Sequence, residues 1–218
     1  MKVKIKPGWD EKVAAAIRKR FPDLPFQLDA NSAYTLSDVP LFKRLDAFKC
    51  LLVEQPLAED DIIDHATLQK QIATPVCLDE SIHSAEDARK AIEIGATRVI
   101  NIKAGRVGGL AEAKRIHDAC QDRDIPVWCG GMLEMGIGRA ANVHLASLPN
   151  FRLPGDVSAS ARYFDTEIIG EPFTVEKDGT MKVPTGPGIG VTVLEDLIRK
   201  IAVKTKEYRP PSTQLPRR

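Results

Sequence analysis

Five short apolar runs, each closed by a charged residue, recur along the first half of this chain at nearly constant spacing. Lys4 lies in the first, Lys2-Val3-Lys4-Ile5. Asp29 closes Phe26–Leu28, Glu54 closes Cys50–Val53, Asp79 closes Val76–Leu78 and Lys103 closes Val99–Ile102. Successive charges lie 25, 25, 25 and 24 residues apart. A period of that length holds one strand, a loop, a helix and a return loop, so the repeat is the footprint of one supersecondary unit. Runs that are apolar throughout, rather than alternating, suit strands of a parallel sheet buried on both faces. Strand–helix alternation at matched spacing predicts an α/β fold of the TIM-barrel kind. The C-terminal strand ends of such a barrel carry its active site, so the five charges are predicted to share one mouth.

The intervening segments read as helices. Asp10 is an N-cap candidate for a helix over Glu11–Arg20, with Val13, Ala14 and Ile17 on one face. Further helices are predicted over 37–48, 62–72, 110–123 and 138–148, and one opens on the capping-box-like Ser84-Ala85-Glu86-Asp87 and ends at Gly95. Pro126–Cys129 is a sixth strand and Phe151–Pro154 a shorter seventh. The repeat stops near Gly155. Residues 1–163 are therefore assigned to a barrel domain. Residues 164–218 are assigned to a C-terminal hairpin, helix and tail. The hairpin spans Phe173–Val183 and turns at Asp178-Gly179. The helix lies within 193–203, and the tail from Lys204, with Pro210, Pro211 and Pro216, is expected to be mobile. Seven strands are one short of a barrel's eight, and the chain opens inside a strand. The expectation is a fragment, or a first strand supplied by another segment.

Composition narrows the function classes. An apolar share of 43% supplies a sizeable core, and a net charge of +1 offers no field for nucleic acid or a membrane surface. No apolar run approaches the ~20 residues of a membrane span, and Met1–Lys6 carries no signal-peptide core. Cys50, Cys77, Cys120 and Cys129 have no paired spacing and three lie in apolar runs, so they read as reduced core residues of a cytoplasmic protein.

Three carboxylates at one mouth repel each other and lose hydration, and a divalent cation answers both costs. Asp29, Glu54 and Asp79 are hard oxygen ligands that suit Mg²⁺. Lys4 and Lys103 flank them. A lysine in a partly buried, cationic site can serve as a base, and two on opposite faces of a carbon acid could remove and return an α-proton. The metal would hold the substrate carboxylate and stabilise the enediolate. Lys2 reads as a substrate or carboxylate contact. Arg106 reads either as a residue that tunes Lys103 by repulsion or as a surface residue. The Gly130-Gly131 pair lets backbone approach a ligand, and Met132 and Leu133 would supply an adaptable apolar wall. Glu134 and Asp156 end strands without an assigned role. His65, His83, His117 and His144 share no spacing and are not read as catalytic. Gly105–Gly109 is not a phosphate loop, since no Gly-Lys-Ser/Thr follows.

At these residues the sequence resembles the enolase superfamily, in its muconate lactonising branch. The resemblance rests on Lys2-Val3-Lys4, Asp29-Ala30-Asn31, Glu54-Gln55-Pro56, Asp79-Glu80-Ser81 and Asn101-Ile102-Lys103. Lys103–Gly109, Trp128–Glu134 and Leu148–Phe151 draw it toward the o-succinylbenzoate synthase / N-succinylamino acid (N-acylamino acid) racemase group. The resemblance implies a (β/α)7β barrel with Mg²⁺ on Asp29, Glu54 and Asp79. It implies acid/base roles for Lys4 and Lys103, substrate contacts from Lys2, Asn31, Gly131, Met132 and Leu133, and support from Glu80 and Arg106. The implied substrate is a small carboxylate. The implied reactions are dehydration to o-succinylbenzoate, a menaquinone precursor, and racemisation of N-acylamino acids. Dipeptide epimerases of the superfamily carry Asp-x-Asp where this chain reads Asp156-Val157-Ser158, which argues against that use. Family members also have an N-terminal capping domain, which is missing here together with the first barrel strand, and they are often homo-oligomers. Two other readings stand beside this one: a cycloisomerase or acyl-amino-acid racemase of different substrate, and a catalytically silent barrel kept as a binding or assembly module.

Overall fold

The computed structural model describes residues 1–208. Among them, six short strands lie side by side in chain order, every neighbouring pair parallel. They are β1 (Lys2–Lys4), β2 (Gln27–Asp29), β3 (Val53–Glu54), β4 (Val76–Leu78), β5 (Val99–Ile102) and β6 (Val127–Cys129). Helices fill the crossovers: α1 (Glu11–Arg20), α2 (Val39–Leu45), α3 (Ile62–Gln69), α4 (Ala85–Glu93), α5 (Leu110–Gln121) and α6 (Gly136–Ala146). A seventh, α7 (Glu195–Ile201), comes late in the chain. Parallel neighbours demand such crossovers, and the repeat of about one strand and one helix per 25 residues supplies them.

Two apolar layers fix the curvature. Leu52, Cys77, Val99 and Trp128, from four successive strand segments, form an inner cluster. A larger cluster takes the alternate strand residues, such as Leu28, Val53, Leu78 and Ile100, and packs them with Ala14, Phe42, Ala88 and Ile116 of the helices. That is the inside–outside division of a barrel wall. The wall is an arc: β1 pairs with β2 alone. A cavity of about 300 Å³ is lined by Met1, Lys2 and Leu51 on one side and by Asp156 of the segment after β6 on the other.

Helix starts follow local chemistry. Asp10 accepts from the Glu11 N–H at 2.6 Å, and Ser84 Oγ accepts from the Asp87 N–H at 3.1 Å. The structure corrects four other expectations. The predicted strand over Phe151–Pro154 is a single parallel bridge, Val127 with Phe151. The helix predicted over 37–48 is α2 between two 3-10 turns, Leu36–Asp38 and Asp46–Phe48. The helix placed at 62–72 stops at Gln69, whose side chain turns to the Ile72 and Thr74 carbonyls.

The predicted hairpin keeps its turn but not its ladder. The Glu176 carbonyl accepts from Gly179 and the Glu176 N–H donates to Thr180, yet no strand follows. The arms dock separately instead: Phe173 buries with Ala140, Val143 and Ile169, and Met181 packs on the same cluster. Helix α7 falls within the predicted 193–203 span, while Pro210, Pro211 and Pro216 of the tail lie outside the described residues.

Candidate active site

Strand register brings the charges together. Lys4 sits beside Asp29, Asp29 beside Glu54, and Glu54 beside Cys77, two residues before Asp79. Asp29, Glu54 and Asp79 are 1%, 0% and 1% exposed. Anions buried so deeply need cations to answer them. Lys2 Nζ lies 2.9 Å from Asp29 Oδ2, 3.1 Å from Glu54 Oε2 and 3.6 Å from Asp156 Oδ2, and stands over the Trp128 ring. Lys4 Nζ donates to Asp29 Oδ2 at 2.6 Å and to Asn31 Oδ1 at 2.5 Å. From the far side, Lys103 Nζ donates to Asp79 Oδ2 at 2.6 Å. The Arg106 guanidinium pairs with Asp79 Oδ1 and donates to the carbonyls of Asn101 and Ile82. With its side chain 12% exposed, Arg106 is not a surface residue.

These contacts set the protonation of the site. Burial pushes the Glu54 carboxyl up, the Asp29 and Asp79 charges add to that against Lys2, and the group titrates at about 8. Burial also works against ionised Asp29, but the Lys4 hydrogen bond and the Lys2 charge outweigh it and hold that carboxyl below its usual range. For Lys2, burial is outweighed by Glu54 and Asp29, which hold the ammonium well above the ordinary lysine value.

Among the described residues no three carboxylate, imidazole or thiolate side chains form a ready-made metal cage. Ammonium and guanidinium groups stand against the carboxylates instead. The donor set nevertheless fits a hard divalent cation. Glu54 Oε2 is buried without a hydrogen-bond donor, since Lys2 approaches it outside hydrogen-bonding geometry. Its elevated titration marks a place where further positive charge is favoured.

The remaining predicted residues fall around this centre. Asn31, in left-handed backbone (φ 41°), links Lys4 to Glu80: its Nδ2 donates to Glu80 Oε1 at 2.9 Å. The glycine pair after β6 makes room for protein. A Cβ on Gly130 would meet Asn101 and come within 2.6 Å of Lys103 Cε, and one on Gly131 would run into the Asp156 carbonyl. Met132 and Leu133 are 47% and 73% exposed.

Two residues of this centre escaped sequence reasoning as site residues. Asn101 is fully buried and donates to Glu54 Oε1 at 2.8 Å. Its signal was an amide lodged inside the apolar run Val99–Ile102. Gln55 is fully buried beside Glu54 and reaches Asp79 and Ser81.

The family described as "Enolase C-terminal domain-like" matches residues 1–197. The chain belongs to that family. It is 56% identical over 193 residues to an o-succinylbenzoate synthase from Geobacillus kaustophilus, a match covering 88% of this chain and 51% of the relative. It is also 56% identical over 202 residues to an N-succinylamino acid racemase from Amycolatopsis sp, covering 92% and 54%. A solved structure of an enolase-superfamily member from Enterococcus faecalis V583 superposes with a TM-score of 0.87 at 51% identity, over 91% of this chain and 54% of that one. The chain thus spans about half the length of the curated relatives it matches. Among the described residues no helix is long and apolar enough to cross a membrane. The arc of parallel strands is the barrel wall of this enolase family.

Proposed function

We propose that this chain carries the acid–base centre of a Mg²⁺-dependent o-succinylbenzoate synthase that also racemises N-succinylamino acids. One observation carries the reading. Lys4 and Lys103 stand on opposite sides of a buried carboxylate triad, each hydrogen-bonded to it at 2.6 Å. Asp29, Glu54 and Asp79 would hold the Mg²⁺, which when bound supplies fixed positive charge beside a substrate carboxylate. The three carboxylates cannot serve that ion and their present partners equally. Lys4 and Lys103 are then turned toward the substrate, while Lys2 stays on Asp156 and Trp128.

In the dehydration, Lys4 takes the α-proton of a cyclohexadiene carboxylate. It then gives a proton to the departing hydroxyl, which leaves as water, and the ring becomes aromatic. Lys103 remains an ammonium and offsets the negative charge that develops as the α-proton leaves. In racemisation one lysine takes the α-proton from one face and the other delivers a proton to the opposite face. The second activity is included because relatives bearing the two names match this chain at the same 56% identity. Met132 and Leu133 form the adaptable side of the substrate space, and Asn31 with Glu80 steadies Lys4. Arg106 holds Asp79 in place as a metal ligand.

The test is product formation by the 218-residue chain with Mg²⁺, followed by the ultraviolet absorbance of the aromatic product. Activity that is lost in Lys4→Ala and in Asp79→Asn, while both remain folded, supports the assignment. Undiminished activity in a folded Lys4→Ala contradicts it. A folded wild-type chain that neither turns over substrate nor melts at a higher temperature with Mg²⁺ favours the silent-barrel reading.

A further inference from the structure

Gln55 follows Glu54 directly, is fully buried, and has a left-handed backbone with φ 38°. Side chains other than glycine seldom tolerate that conformation, and where they do the surroundings over-determine it. Here three strand exits do so. The Gln55 carbonyl accepts from the Ser32 N–H at 2.8 Å, just beyond β2, and the Gln55 N–H donates to the Cys77 carbonyl of β4 at 2.8 Å. Its side chain reaches further along β4. Oε1 accepts from the Asp79 N–H at 3.0 Å and the Ser81 N–H at 3.3 Å, and Nε2 donates to Ser81 Oγ at 2.7 Å and to the Leu57 carbonyl at 3.3 Å. One residue thereby joins the exits of the strands that carry Asp29, Glu54 and Asp79.

The fold contains its own comparison. Strand β4 is held at its entry by a second buried glutamine. Gln69 Oε1 accepts from the Val76 N–H at 2.7 Å, and its Nε2 turns to the carbonyls of Ile72 and Thr74. Both amides satisfy buried backbone groups of the same strand, so both are expected to contribute to stability. Only Gln55 touches the backbone of a carboxylate residue. A purely structural glutamine would therefore act alike at either end.

We infer that Gln55 is a positioning residue that fixes the mutual spacing of Asp29, Glu54 and Asp79, and so sets their affinity for a divalent cation. The inference rests on the Mg²⁺ reading above. Groups that orient metal ligands typically govern affinity by about 10–100-fold.

The experiment is Mg²⁺ titration calorimetry on the full chain, below the melting temperature of every variant, with wild type, Gln55→Met and Gln69→Met side by side. Gln55→Met is expected to weaken Mg²⁺ binding about 10–100-fold. Gln69→Met is expected to lower the melting temperature and leave the Mg²⁺ affinity unchanged. If Gln55→Met does not fold, Gln55→Asn, which keeps the amide but shortens its reach, carries the same test and the same direction. Wild-type affinity in a folded Gln55 variant, or an equal loss in Gln69→Met, overturns the positioning role and leaves the metal reading standing. A folded wild type that takes up no Mg²⁺ overturns both.

Discussion

At the scale of single residues, the site is a contest between cations for the same carboxylate oxygens, and Glu54 records it. Its carboxyl titrates at about 8 because burial and two neighbouring anions outweigh Lys2. A ligand must lose its proton to bind a metal, so uptake of Mg²⁺ is expected to release protons in step with Glu54's protonation. Calorimetry at pH 7 in buffers of different ionisation enthalpy should give a release approaching one proton, vanishing by about pH 9.5. No proton release at pH 7 would mean that Glu54 is already ionised before the metal binds. Gly130 offers a second check. Gly130→Ala drives a methyl into Asn101 and Lys103 Cε, an overpacking worth about 1–3 kcal/mol. Gly105→Ala meets nothing within 4 Å and should be close to neutral. Urea unfolding of the two variants separates the cases. The charged residues themselves were legible from sequence because each closes a buried run at a fixed interval. Asn101 and Gln55 were not legible as site residues. Their partners lie 47 and 24 residues away, Glu54 and Asp79, so only the assembled sheet reveals the contact.

At the scale of elements, the repeat fixed strand order and register because a parallel wall permits little else. The bounds of α1, β4 and β5 stand where the sequence placed them. The hairpin lost its ladder to tertiary packing. An Asp-Gly turn is local chemistry, but a ladder needs two arms that prefer each other, and Phe173 prefers α6. The loop after β3 depends on α3 through His65, a residue set aside as non-catalytic. His65 Nε2 accepts from the Leu57 N–H at 3.1 Å and Nδ1 meets the Asp61 carbonyl at 2.5 Å. Burial holds its imidazole below the usual histidine value. The fold thus favours the neutral ring, which binds fewer protons than the unfolded chain does near pH 6. The stability that His65 contributes is therefore present above the unfolded pKa of about 6.5 and is lost as pH falls below it. The urea midpoint of wild type minus that of His65→Gln should shrink from pH 7.5 to pH 4.5. A constant difference would mean that the ring is not buried neutral.

At the scale of the whole molecule, the arc of β1–β6 gathers five charges from residues 4 to 103 at one mouth, on a chain about half as long as its curated relatives. There Lys4 and Lys103 are proposed to move a substrate α-proton across the mouth. The most direct measurement is exchange of that proton for deuterium. The 218-residue chain would be incubated with Mg²⁺ and an N-succinylamino acid in D₂O and the α-proton followed by NMR, beside Lys4→Ala and Lys103→Ala. Exchange by wild type, and its loss for one substrate enantiomer or both in each folded variant, is the result expected of that role. Exchange that persists unchanged in both variants, or its absence from a folded wild-type chain with Mg²⁺ bound, would contradict it.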